Sequence, residues 1–68
     1  MYRHEVKVID TWGKTIYKAH FEDAWEAYDD WKRLVEEHEN APTQGWVTVV
    51  RYYDGHCMNS RVIHKATA

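Results

Sequence analysis

The sequence contains one cysteine and one proline, and it has no long apolar run. Cys57 has no second cysteine to pair with, which excludes the disulfide-stabilised fold of a small secreted domain. No apolar stretch is long enough to cross a bilayer, and the first residues lack the apolar core of a signal peptide. We therefore expect a cytoplasmic protein that makes no contact with a membrane.

Motifs for catalysis and for cofactor binding are also missing. The five histidines lack the close pairs of a zinc site, and the neighbours His56 and Cys57 point to opposite faces of a strand. Cys57 with His56 or His64 has the elements of a thiolate pair, but no third group orients them. So short a chain also has little room for a substrate pocket. We predict no metal, no cofactor and no enzymatic activity.

Aromatic side chains, by contrast, are plentiful: 68 residues include four tryptophans, five tyrosines and one phenylalanine. The length allows one small domain spanning residues 1–68, with a frayed tail at 66–68. One helix cannot cover every aromatic ring, so some rings stay exposed or meet a partner. A homodimer joined through an open sheet face is one alternative.

Alternating apolar and polar residues predict a strand over residues 2–10 and a second over 15–21, joined by a turn at 10–13. The loop length fixes the register, because a shift of one residue would scatter the apolar set over both faces. The predicted pairs are Val8 with Tyr17, Val6 with Ala19, and His4 with Phe21.

A helix follows the second strand. Asp23 is the predicted N-cap, with its carboxylate accepting from the amide of Glu26, and Asn40 with Pro42 ends the helix. Trp25 lies off the apolar stripe, about 130° from its centre. The stripe consists of Ala24, Ala27, Tyr28, Trp31, Leu34, Val35 and His38.

A third strand is predicted from Trp46 to Tyr53, and Asp54-Gly55 is a strong signal for a two-residue hairpin. Both faces of this hairpin carry apolar residues, so the sequence leaves open which face the helix covers. The order ββαββ predicts an α+β fold, with a four-stranded antiparallel sheet in the order 2-1-3-4 and one helix on one face. The predicted hairpin pairs are Tyr53 with His56, Arg51 with Met58, Val49 with Ser60, and Val47 with Val62.

The acidic residues are concentrated in the helical segment. From Glu22 to Glu39 there are eight acids against Lys32 and Arg33, a charge of -6, whereas the rest of the chain carries +4. Such segregation steers partners, and few basic residues stand at helical spacing to pair with these acids. A solvated helix face is the simpler interpretation. A tryptophan among the acids, however, is typical of a binding anchor.

We therefore predict a non-enzymatic protein-binding module. The acidic helix would dock on a basic surface, such as one that normally holds nucleic acid. The predicted partner-binding residues are Glu22, Trp25, Glu26, Asp29, Asp30, Glu36 and Glu37.

The alternative is a single-stranded nucleic-acid-binding protein that uses a basic, aromatic sheet face. The pI of about 6.2 and the acidic helix weigh against it. Its predicted residues are Arg3, Lys7, Lys18, Tyr52 and Arg61.

The stretch from Trp12 to Tyr28, WGKTIYKAHFEDAWEAY, resembles a pattern common in small phage-encoded proteins. A hairpin ends in an aromatic residue, and a capping residue and an alanine-rich helix start follow. In architecture and charge the chain is similar to phage host-takeover proteins, including RNA polymerase inhibitors and anti-defence proteins such as anti-CRISPRs. The resemblance implies a protein that inhibits or modulates a larger host protein by stoichiometric action in the host cytoplasm, and it transfers no functional residues.

Overall fold

The structure, a computed structural model, describes residues 3–40 and 45–65. The described strands form an antiparallel sheet in the order β2-β1-β3-β4, with the helix across one face. The predicted α+β fold and strand order are therefore confirmed. The predicted frayed tail at 66–68 and the role of Pro42 lie outside the described residues. The elements are β1 (His4–Ile9), β2 (Thr15–Phe21), α1 (Ala24–Asn40), β3 (Gly45–Tyr53) and β4 (His56–Lys65).

The turn between β1 and β2 is organised by the side chain of Asp10. Its carboxylate accepts hydrogen bonds from the amides of Trp12 and Lys14, each at 2.9 Å. Gly13 has a φ of 79°, a conformation that glycine adopts without strain. A register shift next to Ile9 interrupts the ladder close to this turn. Beyond it the predicted register is confirmed, with Val8 opposite Tyr17, Val6 opposite Ala19 and His4 opposite Phe21.

The helix begins after Asp23, which is the N-cap as predicted. The carbonyl of Asp23 accepts from the amide of Ala27 at 3.1 Å. Its carboxylate caps the amide of Trp25 at 3.4 Å, not that of Glu26 as predicted. The helix ends at Asn40. Hydrogen bonds to Asp23 therefore stabilise the first turn of the helix, and this turn determines the direction in which the side chain of Trp25 projects.

The second hairpin turns at Asp54-Gly55, where φ is 50° and 80°. Positive φ at both central residues is the mark of a type I′ turn, whose twist suits a two-residue hairpin. Tyr53 pairs with His56 and Tyr52 with Cys57, as that loop length predicts.

A register shift next to Arg51 makes the rest of the predicted pairing wrong. Arg51 pairs with Asn59 rather than Met58, and Val47 pairs with Ile63 rather than Val62. A β-bulge of this kind adds one residue to one strand, which moves every following side chain to the other face. The shift brings Ile63 under the helix, where it is buried, and leaves Val62 exposed.

The helix covers the face of the sheet that carries alternate valines of β1 and β3; we call this the inner face and the other the open face. Trp31 packs at the rim of the core and donates from its indole Nε1 to the carbonyl of Val49 at 2.9 Å. Small β-branched residues, not aromatic rings, therefore fill the centre, and most large rings remain near the surface. The buried core consists of Val6, Val8, Ala27, Leu34, Val35, Val47, Val49 and Ile63.

Candidate partner-binding surfaces

The outer face of the helix is the side opposite the core. At about 100° per residue, Trp25, Asp29, Lys32 and Glu36 fall within one narrow stripe on this side. All four are exposed. The predicted anchor and two of the predicted acids are therefore side by side on the surface.

Trp25 has 74% of its surface exposed, the most among the helix's large apolar residues. With Ala24, Tyr28 and Arg51 it lines a small cavity of about 190 Å³. The guanidinium of Arg51 lies 6.0 Å from the centre of the Tyr28 ring and donates to the side chain of Asn59 at 2.8 Å. Arg51, an inner-face residue of β3, therefore supplies one wall beside the exposed indole.

Asp30 does not belong to the exposed stripe. One carboxylate oxygen accepts from the hydroxyl of Tyr17 on β2 at 2.8 Å, and the other accepts from Arg33 at 2.6 Å. Its side chain is only 12% exposed. Burial and the hydrogen bond to Asp30 raise the pKa of the Tyr17 hydroxyl. Asp30 therefore fixes the helix to β2, and its predicted role as a partner-binding residue is not favoured by this placement.

Glu37 is also engaged within the molecule. Arg33 donates to it at 2.7 Å while holding Asp30, and these two hydrogen bonds raise the pKa of the Arg33 guanidinium. Arg61 reaches across from β4 to Glu39 at 3.0 Å. The expectation that few basic residues pair with the helix acids is therefore wrong for Asp30, Glu37 and Glu39. Helical spacing places Arg33 within reach of the first two, but it could not show the contacts that Tyr17 of β2 and Arg61 of β4 make.

The remaining predicted acids are exposed, and the structure gives them no ion pair within residues 3–40 and 45–65. Glu26 and Asp29 line a shallow cavity of about 340 Å³ together with Phe21. These carboxylates, three of which lie within four residues of Trp25, are thus free to meet a cation from outside. This subset consists of Glu22, Glu26, Asp29 and Glu36.

The open face of the sheet carries a second polar cluster, centred on Glu5. Its carboxylate lies 2.7 Å from His20 Nε2, 3.2 Å from Lys7 Nζ and 3.8 Å from Lys18 Nζ. Burial alone would raise the pKa of Glu5, but the hydrogen bonds from Lys7 and His20 and the charges of both lysines outweigh it and lower that pKa. Alternation along the first two strands predicts this shared face, but its focus on one carboxylate becomes visible only in the structure.

A pocket of about 370 Å³ lies above this cluster. Arg3, Lys7 and Tyr52 from the alternative set line it, and Lys7 Nζ lies 5.4 Å from the centre of the Tyr52 ring. Lys18 joins them through Glu5. Arg61 does not, because the register shift turns it towards Glu39 at the helix. The alternative nucleic-acid set is therefore divided between two faces.

The part of the chain that the structure describes contains no group of three or more His, Cys, Asp or Glu side chains placed to hold a metal ion. Its helix is not long and apolar enough to cross a membrane. No protein-family model matches the chain, and neither the curated proteins nor the solved structures contain a significant match to it.

Proposed function

We propose that this protein is a non-enzymatic binding module that inhibits or modulates a larger protein by docking the outer face of its helix. The observation that carries the proposal is Trp25, exposed over 74% of its surface in the middle of carboxylates that have no ion pair among the described residues. Exposing a tryptophan to water is unfavourable, whereas a tryptophan buried at the centre of an interface is a frequent hot spot.

The charge of the outer helix face defines the partner. Glu26, Asp29 and Glu36 extend over about 15 Å of the helix at 1.5 Å per residue, with Glu22 just before its start and Lys32 as the opposing charge. A partner with lysines and arginines around an apolar slot would match both the carboxylates and the indole. Electrostatic complementarity of this kind raises the association rate more than the final affinity.

A surface that normally holds nucleic acid satisfies this description, but charge alone would not compete there. A DNA duplex presents one phosphate per about 1.7 Å, several times the density of acids on this helix. We therefore propose that the electric field of the acids speeds association with the partner, and that the indole of Trp25, once buried in the complex, slows dissociation. Action by occupancy, in a one-to-one complex, is also what the resemblance to phage inhibitors implies.

The test uses the protein as bait in lysate of its native host. Proteins retained by the unaltered chain are compared with those retained by Trp25→Ala and by a Glu26→Lys/Asp29→Lys/Glu36→Lys triple variant. Asp30 is left unchanged because reversing it would break its bonds to Tyr17 and Arg33. Lys14→Ala, which alters an exposed charge in the β1–β2 turn, is the control.

Candidate partners are then purified, and their association and dissociation rates are measured at low and high salt. The proposal expects the triple variant to slow association strongly and Trp25→Ala to speed dissociation, with Lys14→Ala unchanged. Retention that is the same for all four baits would refute it.

A further inference from the structure

The open face of the sheet carries two aromatic rings on one strand, of which Trp46 is exposed and Tyr52 is half-buried. Trp46 is 53% exposed, and its ring packs edge-on against His64 at 5.6 Å. Tyr52 lies six residues further along β3, hence on the same face and about 20 Å away at the rise of a strand. Both rings lie on the opposite side of the sheet from the helix.

Two lysines lie between these ring positions. Lys7 is the neighbour of Lys18 on β2 and of Val50 on β3. Val50 is four residues from Trp46 and two from Tyr52, so the lysines lie between the two rings and nearer to Tyr52. Arg3 adds a third cation at the Tyr52 end, where it lies 3.9 Å from Asp54 of the hairpin turn.

Rings that flank cations on a flat sheet match the chemistry of a nucleic-acid single strand. Every base can stack on an aromatic ring, and the phosphates between stacked bases need cations. A duplex would not use the rings, because its bases are already stacked. A second copy of the chain, packed about a two-fold axis on this face, would bring lysines against lysines.

We propose that the open face binds single-stranded nucleic acid through Trp46 and Tyr52 as stacking platforms and Lys7 and Lys18 as phosphate contacts. This function is separate from the protein-binding role of the outer helix face. It also revises the residues expected from the sequence, since Trp46 replaces Arg61 in the set.

Glu5 limits the affinity of this face. Its carboxylate is the internal counterion of Lys7 and Lys18, so a phosphate must compete with it. Replacing that carboxylate with an amide of the same shape leaves both lysines without their counterion. Glu5→Gln therefore should bind nucleic acid more tightly than the unaltered protein, a gain that non-specific loss of structure cannot produce.

The experiment is fluorescence anisotropy with a labelled oligothymidylate of about 12 nucleotides, within the range of known single-strand site sizes. Titrations run from about 50 mM to about 200 mM salt. With two to three phosphate contacts, the slope of log K against log salt should be about -1.4 to -2.1.

Matched variants separate the two faces. Trp46→Ala should weaken binding roughly fivefold to a hundredfold, whereas Trp25→Ala, which removes a tryptophan from the helix, should not. Lys18→Ala should weaken binding and reduce the slope by about 0.7, whereas Lys32→Ala, which removes the same charge from the helix, should change neither. Glu5→Gln should tighten binding by about threefold or more at low salt.

Absence of binding at low salt, or equal loss in Lys18→Ala and Lys32→Ala, would overturn the proposal. So would concentration-dependent sedimentation that is abolished by Trp46→Ala while the oligonucleotide stays free, because the face would then be a protein contact. If Glu5→Gln does not fold by circular dichroism, the Trp46 and Lys18 variants decide the outcome. The Trp46, Lys18 and Glu5 variants leave the outer helix face unaltered, so failure here leaves the proposed function standing.

Discussion

The outer face of the helix and the open face of the sheet are both charged, and each exposes a tryptophan. The charges on the sheet pair with one another, whereas several of the acids on the helix have no ion pair among the described residues. On the sheet, Glu5 gathers cations from its own strand and the next, because side chains on neighbouring strands stand about 5 Å apart. On the helix, Glu22 and Glu26 have mainly other acids within reach, and Arg33, at helical spacing from Asp29, pairs with Asp30 and Glu37 instead. The segregation of charge along the sequence therefore becomes an unsatisfied surface where basic partners are distant or engaged by other acids.

The largest expected difference lies between the two tryptophans of the helix. Trp31→Ala removes a ring packed on the core and its hydrogen bond to Val49, and it should cost about 3–5 kcal/mol, enough to unfold a small domain. Trp25→Ala should cost less than about 0.5 kcal/mol because the ring is exposed. Urea unfolding of both variants measures this. A greater loss in Trp25→Ala would mean that the helix is rotated from the orientation described.

The adjacent acids Asp29 and Asp30 offer a finer comparison. Asp30→Ala should destabilise the fold by about 1–3 kcal/mol, because it leaves the half-buried hydroxyl of Tyr17 and the guanidinium of Arg33 without their acceptor. Asp29→Ala should change stability by less than about 0.5 kcal/mol. Thermal melts give the order. A difference spectrum of tyrosine ionisation should also show a lower Tyr17 pKa in Asp30→Ala, and an unchanged titration would contradict the assigned contact.

Acidification should weaken the fold through the open face. The folded pKa of Glu5 lies below its ordinary value of 4.5, so the unfolded chain takes up the proton first as the pH falls. Its contribution is complete above that ordinary value and is lost as the pH drops through the folded pKa. Glu5→Gln should reduce this loss by less than about 1 kcal/mol. Chemical unfolding at a series of pH values tests it, and an identical acid profile in the variant would contradict the pKa direction.

The smallest expected effect is that of Arg61→Ala. Its exposed pair with Glu39 should contribute about 0.5 kcal/mol or less. Because Arg61 faces the helix, oligonucleotide binding should be the same as in the unaltered protein. Weaker binding by this variant in the anisotropy assay would show that the two faces act together and would remove the contrast between them.

The fold could be predicted because its signals are local. The period-two pattern of the first hairpin, the cap at Asp23 and the Asp54-Gly55 turn each determine one element, and the order of elements restricts the sheet. The bulge opposite Arg51 could not be predicted, since nothing in the sequence marks where a ladder gains a residue. The extra residue at the bulge therefore places Ile63 rather than Val62 in the core and moves Arg61 to the inner face.

The candidate site could be predicted only in part for a related reason. Helical spacing placed Trp25, Asp29 and Glu36 on one surface, and the structure keeps them there. Helical spacing could not show that Tyr17 donates a hydrogen bond to Asp30 or that Arg61 pairs with Glu39, because both partners are far away in the sequence. Contacts across elements decide which acids stay free, and a pattern within one element carries no information about them.

The position of β1 between β2 and β3 has a consequence for how the chain folds. Each hairpin closes over a short loop, but the ladder that joins the hairpins pairs Lys7 with Val50 and therefore closes a loop that contains β2 and the whole helix. The entropic cost of loop closure therefore falls mainly on the pairing of β1 with β3, which we call the β1–β3 seam. We expect substitutions along this seam to change the folding rate, whereas those at the hairpin turns would act mainly on unfolding.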